Sequence, residues 1–103
     1  MKKVAKELKT IILLKGNIDI ISDGERIYLN KTGTPFMTKG GTGDILAGIA
    51  GSLLARKIEP FESACCAAYI NGKSGEIAGI KLGEGLLASD LLEEIPKVIG
   101  RIC

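Results

Sequence analysis

The central stretch TPFMTKGGTGDILAGIAGSLLA, residues 34–55, changes from a glycine-rich polar segment to an apolar pattern at a single aspartate, Asp44. The segment 31–43 holds four glycines and a proline, which predicts a loop. The apolar residues that then recur at helical spacing are Ile45, Leu46, Ile49, Leu53 and Leu54. The spacing predicts a helix from Asp44 to about Arg56.

A loop that opens into a helix presents backbone N–H groups and the positive end of the helix dipole, and both attract anions. Glycines at this point let a phosphate approach the backbone closely. A carboxylate beside the phosphate, such as Asp44, is in place to accept the proton of a hydroxyl that attacks a phosphoryl group. The structural alternative is that Asp44 caps the helix while the glycines form a tight turn.

The residues before this stretch predict three further elements. KKVAKELK places Val4 and Leu8 on one face of a short amphipathic helix. TIILLK, at 10–15, is an apolar run without polar alternation, which is typical of a strand covered on both faces in a parallel sheet. Residues 18–30 predict a β-hairpin, because Asp-Gly separates two strand-like segments.

Two more helices are predicted after the central stretch. Pro60 suits the first position of one of them. Its apolar stripe of mostly small residues is Phe61, Ala64, Cys65, Ala68, Tyr69 and Gly72. Ser89 or Asp90 can cap the last helix, and Pro96 is expected to kink or end it.

Glycine patterns elsewhere lead to two more expectations. Gly48 and Gly51 weaken the helix that contains them, so we expect another backbone to approach it there. NGKSGE, at 71–76, is similar to the end of a P-loop, but Ala67 stands where the first glycine would be. We interpret that segment as helix surface, and no glycine spacing supports a Rossmann fingerprint.

Composition narrows the functional classes. A chain of 103 residues fits a single domain, and a net charge of +2 without a basic block gives no sign of nucleic-acid binding. The chain has no histidine, and its cysteines, Cys65, Cys66 and Cys103, form no C-x-x-C pair, so no zinc site is expected. We interpret the vicinal pair as buried, reduced thiols of a cytoplasmic protein. No apolar stretch reaches the roughly 20 residues that span a bilayer.

Three segments together resemble a known family. They are LLKG at 13–16, the pattern N-x-T-G-x-P-x-M-x-x-G-G-T-G-D-x-L-A-G at 30–48, and ASDLLEEIP at 88–96. The chain resembles the C-terminal part of the ADP- or ATP-dependent NAD(P)H-hydrate dehydratases, which belong to the ribokinase-like superfamily. The resemblance therefore implies an α/β fold over 1–103: the C-terminal portion of a three-layer domain, with a strand, a hairpin and about three packed helices, lacking the N-terminal half of the sheet.

The same resemblance implies an activity and a site. Hydrated NADH or NADPH would be phosphorylated on its ring hydroxyl by ADP or ATP with Mg²⁺, and loss of phosphate would restore the dihydronicotinamide. Asp44 would be the base that contacts the hydrated nicotinamide. The backbone of Gly41, Thr42 and Gly43 would form the anion hole, with Gly43 also contacting the nucleotide. The stretch that would contact the nucleotide is Lys15, Gly16, Asn17, Ile18 and Asp19, although Lys15 could instead be a solvated strand end.

The chain departs from this family in several places. Asp19 stands where threonine is common, and a carboxylate near phosphates is unfavourable unless it is turned away or bridged by a cation. Asn71 and Glu76 stand where histidine and aspartate are frequent in the family, and we interpret this as tolerated variation without functional weight. Family members are more than twice as long, so we expect either a fragment or a homo-oligomer that completes the sheet.

Two other hypotheses remain open at this stage. The first is a kinase of the same superfamily that phosphorylates a sugar or pyrimidine alcohol, because such enzymes share a segment similar to GTGD. The second is a truncated, non-catalytic module that binds a nucleotide and serves in assembly.

Overall fold

The computed structural model describes residues 2–8, 10–37 and 41–102. The regular elements are, in chain order, α1 (Lys2–Leu8), β1 (Ile12–Leu14), β2 (Asp19–Ser22), β3 (Ile27–Asn30), α2 (Thr42–Ala55), α3 (Pro60–Leu82) and α4 (Leu91–Ile102). Single turns of 3-10 helix lie at Pro35–Met37, Gly83–Gly85 and Ala88–Asp90. Within these ranges, no helix has the length and apolar character needed to span a membrane.

The hairpin predicted at 18–30 is present. β2 and β3 pair antiparallel, with Asp19 opposite Asn30 at one end of the ladder. The carboxylate of Asp23 closes the turn, because Oδ1 accepts hydrogen bonds from the N–H groups of Glu25 at 2.9 Å and Arg26 at 2.7 Å. These two bonds lower the pKa of Asp23 to about 2, and the bond from Arg26 has the larger effect.

The prediction that TIILLK forms a parallel strand covered on both faces is wrong for the described part of the chain. β1 is only three residues long, and it pairs antiparallel with β2 at the edge of a sheet ordered β1-β2-β3. Leu14 is exposed. An apolar run without alternation indicates burial, but it cannot tell which strand will be the partner.

Helix α1 is confirmed, but its predicted buried face is wrong. Val4 and Leu8 are exposed, whereas Ala5 is fully buried. The reason is the hairpin turn, where Gly24 lies so close to the backbone of Lys6 that a Cβ on Gly24 would be 2.8 Å from the Lys6 Cα. The turn therefore covers α1 around Ala5 and leaves the other face in solvent.

Helix α3 is the centre of the molecule and packs against α2, α4 and the hairpin strands. Pro60 is its first residue, as predicted, and the Glu59 side chain caps it by accepting the N–H of Glu62 at 3.0 Å. Glu59 Oε1 also accepts a hydrogen bond from Arg26 Nη2 at 2.8 Å, and this bond joins the hairpin to the start of α3. The main core consists of Ile21, Leu46, Ile49, Phe61, Ala67, Ala68, Ile70 and Val98.

The ends of the other two long helices differ from the predictions. α2 begins at Thr42 rather than Asp44, because Gly41 adopts a φ of 99° and turns the chain into the helix. α4 follows Asp90 and continues through Pro96 to Ile102, so Pro96 does not end it. Proline cannot donate a bond to the carbonyl one turn earlier, at Leu92, and Leu92 is an exposed residue.

The surroundings of the glycines in α2 and α3 also differ from the predictions. Residues 71–76 are not helix surface, because Asn71, Gly72, Ser74 and Gly75 are buried. Additional Cβ atoms on Gly72, Gly75 and Gly79 would meet the loop residues Thr32, Met37 and Thr34, respectively. By contrast, nothing lies within 4 Å of a Cβ built on Gly48 or Gly51, so the predicted backbone approach to α2 is absent in the described residues.

The cysteine pair is only partly buried. Burial raises the pKa of the Cys65 thiol to about 11, with a further rise from the neighbouring Cys66. Cys66 is exposed, so the expectation of a buried pair is wrong for this residue, which lies on the outer side of α3. Cys103 lies outside the described residues.

Candidate functional site

A cavity of about 620 Å³ lies between the end of β1, the loop after β3 and the middle of α3. This volume is in the usual range for small-molecule sites. The cavity is lined by Lys15, Gly16, Asn17, Asp19, Thr32, Gly33, Thr34, Pro35, Met37, Thr42, Asn71 and Gly72. Four of the six residues that the resemblance assigned to the nucleotide are in this set, and Ile18 and Gly43 are not.

Asp19 is held within the wall of the cavity. It is only 5% exposed, and its Oδ1 accepts the N–H of Gly16 at 3.3 Å while its Oδ2 accepts Asn30 Nδ2 at 3.0 Å. The ammonium of Lys15 lies 3.9 Å from Oδ1. Asp19 is thus bonded to three neighbouring groups, which lessens the conflict expected between its carboxylate and nucleotide phosphates.

The loop that follows β3 is bonded to its surroundings at several points. Thr32 Oγ1 donates to Asn30 Oδ1 at 2.9 Å. The N–H of Gly33 donates to Glu76 Oε2 at 3.0 Å. Thr42 Oγ1 donates to the carbonyl of Met37 at 3.1 Å. Glu76, which is one of the departures from the family pattern, therefore holds the cavity wall from α3.

The start of α2 forms one side of the cavity. Gly41 occupies the N-cap position and the structure shows no side-chain hydrogen bond capping this end. Thr42 is buried and lines the cavity, while Gly43 is exposed. The positive end of the α2 dipole therefore lies at the cavity edge, which favours an anion there.

Asp44 follows in the first turn of α2, and its side chain is exposed. It does not line the first cavity. It lies at a second one, of about 470 Å³, in an apolar groove between α2 and α4. The other residues of this groove are Ile45, Gly48, Ile49, Ser52, Leu53, Arg56, Leu92, Ile95 and Ile99. Thr42 therefore lines the first cavity, whereas Asp44, two residues later, lines the groove between α2 and α4.

The sequence reasoning missed most of the loop and helix residues in the cavity wall. Thr32, Gly33 and Pro35 belong to the N-x-T-G-x-P-x-M pattern that carried the resemblance, so a signal for them was present. Asn71 and Gly72 lie on α3, about 40 positions further along the chain, and no spacing rule connects them to the loop. Among the described residues, no group of three or more Cys, Asp or Glu side chains could hold a metal ion.

Comparison with known proteins identifies the family of the chain. The family model described as NAD(P)H-hydrate dehydratase matches residues 1–97. This chain belongs to that family. The match confirms the resemblance inferred from the sequence patterns.

Individual relatives of the NAD(P)H-hydrate dehydratase family are similar over nearly the whole chain. The bifunctional NAD(P)H-hydrate repair enzyme Nnr of Hyperthermus butylicus is 55% identical over 89 residues, which is 86% of this chain and 17% of that protein. The ADP-dependent (S)-NAD(P)H-hydrate dehydratase of Cenarchaeum symbiosum is 52% identical over 99 residues, 96% of this chain and 34% of that protein.

A solved relative confirms the fold. The ADP/ATP-dependent NAD(P)H-hydrate dehydratase of Bacillus subtilis, co-crystallised with ATP/Mg²⁺, superimposes with a TM-score of 0.90 at 34% identity. The superposition covers 99% of this chain and 38% of that structure. The predicted α/β fold class is therefore confirmed, and the chain spans well under half the length of these relatives.

Proposed function

We propose that this chain contributes to the repair of hydrated NADH and NADPH, using ADP or ATP as the phosphoryl donor. One observation carries the proposal: the start of α2 lies between a cavity of nucleotide-binding size and the exposed carboxylate of Asp44. Family membership supplies the reaction class, because the relatives are named for NAD(P)H-hydrate dehydration or repair. No feature of the site favours a sugar or pyrimidine kinase.

The proposed roles follow the two sides of α2. The nucleotide occupies the first cavity, near the stretch Lys15–Asp19, with its terminal phosphate at the backbone of Gly41, Thr42 and Gly43. The helix dipole and the glycine backbone favour that charge. Asp44 lies one residue beyond this anion hole, and the ring hydroxyl of the hydrated nicotinamide binds there.

The reaction then takes place in two steps. Asp44 accepts the hydroxyl proton as the hydroxyl oxygen attacks the terminal phosphorus, and the bond from phosphorus to the departing nucleotide breaks. Phosphate subsequently leaves the ring with its bonding electron pair, and a neighbouring ring carbon gives up a proton to the departing phosphate or to water. The carbon–carbon double bond of the dihydronicotinamide is restored, without net oxidation or reduction.

Mg²⁺ in this proposal arrives with the phosphates of the nucleotide, whose charge it neutralises. Magnesium is usually bound through one or two carboxylates together with substrate phosphates. The cavity carboxylate, Asp19, already bonds Gly16 and Asn30. The described residues therefore offer no dedicated protein site for the ion, and we assign no step to it.

The test is an activity assay on the 103-residue chain. Hydrated NADH is incubated with ADP or ATP and Mg²⁺, and return of the reduced-nicotinamide absorbance is followed. We expect Asp44→Asn to abolish the signal, whereas Glu93→Gln, which removes an exposed carboxylate from the first turn of α4, leaves it intact. Absence of turnover together with nucleotide-dependent thermal stabilisation would instead favour a non-catalytic nucleotide-binding module.

Homo-oligomer formation and a cytoplasmic location remain predictions. β1 lies at the edge of the sheet in the described structure, and an edge strand can pair with a second chain. Sizing of the purified chain in solution tests for such an oligomer.

A further inference from the structure

Asn30 is a buried polar residue beside the first cavity, but it does not line that cavity. It is 1% exposed, and it ends β3 opposite Asp19, the first residue of β2. Asn30 bonds Asp19 and Thr32, and both of these residues line the cavity. A ligand in the cavity can therefore depend on Asn30 only through the neighbours of Asn30.

The amide of Asn30 is fully bonded in one orientation. Its Nδ2 donates to Asp19 Oδ2 at 3.0 Å and to the carbonyl of Ala68 at 3.1 Å, while its Oδ1 accepts from Thr32 Oγ1 at 2.9 Å. Turning the amide over would set its oxygen against the carboxylate and the carbonyl, which are acceptors only. The bonds of Asn30 therefore fix the positions of Asp19 and Thr32 relative to α3.

Asp19 extends this connection to the loop after β1. Its Oδ1 accepts the N–H of Gly16 at 3.3 Å and lies 3.9 Å from the ammonium of Lys15. Gly16 and Lys15 both line the cavity. The loop after β1, the loop after β3 and α3 are thus connected through a single buried amide.

We infer that Asn30 is a positioning residue for the nucleotide, because it holds Asp19 and Thr32, and with them the two loops of the cavity, in place before the ligand binds. Loops that are already in place need no ordering on binding, which lowers the cost of association. The inference rests on the proposed function, because it requires an adenine nucleotide in the first cavity. It assigns a role to a residue that the sequence placed only within the pattern N-x-T-G-x-P.

The test measures ADP binding to the 103-residue chain by titration calorimetry, for two single variants and their combination. Asp19→Asn sets an amide NH₂ against that of Asn30, and Asn30→Asp sets a carboxylate against that of Asp19. We expect each to bind ADP about tenfold more weakly, because the loops are then in place only part of the time. The double variant again pairs a donor with an acceptor and should recover to within about threefold, since the bond to the Ala68 carbonyl is not restored.

The effect of Asp19→Asn distinguishes positioning from charge. If the carboxylate acted on the nucleotide phosphates only through its charge, its removal would strengthen ADP binding, and Asn30→Asp alone would weaken it. Weaker binding in both single variants, with recovery in the double variant, is expected only if the bond between the two side chains matters.

Ser63→Ala is the matched control for stability. Ser63 is 1% exposed and its Oγ donates to the carbonyl of Ile58 at 3.1 Å, but Ser63 does not line the cavity. Loss of this bond should lower the urea midpoint and leave the ADP affinity unchanged.

The outcomes separate the inference from the proposed function. Unchanged or stronger ADP binding in Asp19→Asn, or a double variant as weak as the single ones, would overturn the role of Asn30 and leave nucleotide binding established. Failure of the unsubstituted chain to bind ADP would instead contradict the proposed function. If Asn30→Asp does not fold, as judged by circular dichroism, Asp19→Asn still decides the matter, because it keeps the shape of the native side chain.

Discussion

Two glycine-to-alanine substitutions in different helices should change stability in opposite directions. At Gly48 of α2, a new Cβ would have nothing within 4 Å. At Gly72 of α3, the same atom would lie 2.7 Å from the backbone carbonyl carbon of Thr32 and would overlap its Oγ1. Because the overlap involves backbone, rotation of the Thr32 side chain cannot relieve it.

The expected change in the free energy of unfolding combines the helix propensity of alanine with the space available at each site. Alanine is better than glycine in a helix interior by about 1 kcal/mol, and that gain is common to both sites. Gly48→Ala should therefore raise the free energy of unfolding by about 0.5–1 kcal/mol. Gly72→Ala adds an overpacking cost of about 1–3 kcal/mol, and the backbone overlap puts it near the upper end. The two variants should thus differ by about 2–3 kcal/mol.

Urea unfolding followed by circular dichroism measures this difference, with an unchanged m-value as the sign that only stability has altered. In thermal unfolding a difference of 2 kcal/mol corresponds to roughly 8–16 °C for a domain of this size. Gly51→Ala, also without neighbours within 4 Å, serves as a second control and should behave like Gly48→Ala. Equal stability of the Gly72 and Gly48 variants would refute the close packing of α3 on the loop.

Further predictions concern the site and its supports. Asp44→Asn should abolish turnover while leaving the ADP affinity within about twofold, measured by calorimetry, because Asp44 does not line the first cavity. Glu76→Ala should weaken ADP binding about three- to tenfold by removing the acceptor of the Gly33 N–H, and Glu76→Gln should restore most of it. Iodoacetamide at pH 8 should modify Cys66 well before Cys65, whose thiol has a pKa of about 11 and remains protonated, as peptide mass mapping would show. The pKa of Asp23 is about 2 in the folded state against an ordinary 3.8, so its stabilising effect is fully present above about pH 4 and is lost as the pH falls through 2. The urea midpoint of Asp23→Asn should therefore differ from that of the unsubstituted chain at pH 5, and by clearly less at pH 2.

The parts of the fold that the sequence predicted depend on local signals. Asp-Gly at 23–24 marks the hairpin turn, Pro60 marks the start of α3, and apolar spacing marks α2. Two errors are local, at the start of α2 and at Pro96, whereas the errors in burial and strand pairing concern contacts between distant segments. Nothing near Val4 indicates that the hairpin turn will cover Ala5 instead, and nothing in TIILLK identifies β2 as its antiparallel partner.

The candidate site shows the same division. The loop and start of α2 could be identified because their glycines and Asp44 have a chemical reason to be adjacent. Lys15 could be assigned to the same site only from the resemblance to the dehydratase family, because no residue spacing connects it to that loop. The bond from Gly33 to Glu76 spans 43 positions, and the bonds that Asn30 makes become apparent only when the surrounding atoms are placed. Helical periodicity indicates which face is buried but not which loop will cover it.

The row of Gly72, Gly75 and Gly79 on α3 has a mechanical consequence. Side chains normally absorb small displacements between packed segments by changing rotamer, but at these three positions the loop 32–37 rests on bare helix backbone. A larger residue at any of the three would therefore have to displace the loop, and with it the wall that Thr32 and Met37 contribute to the first cavity.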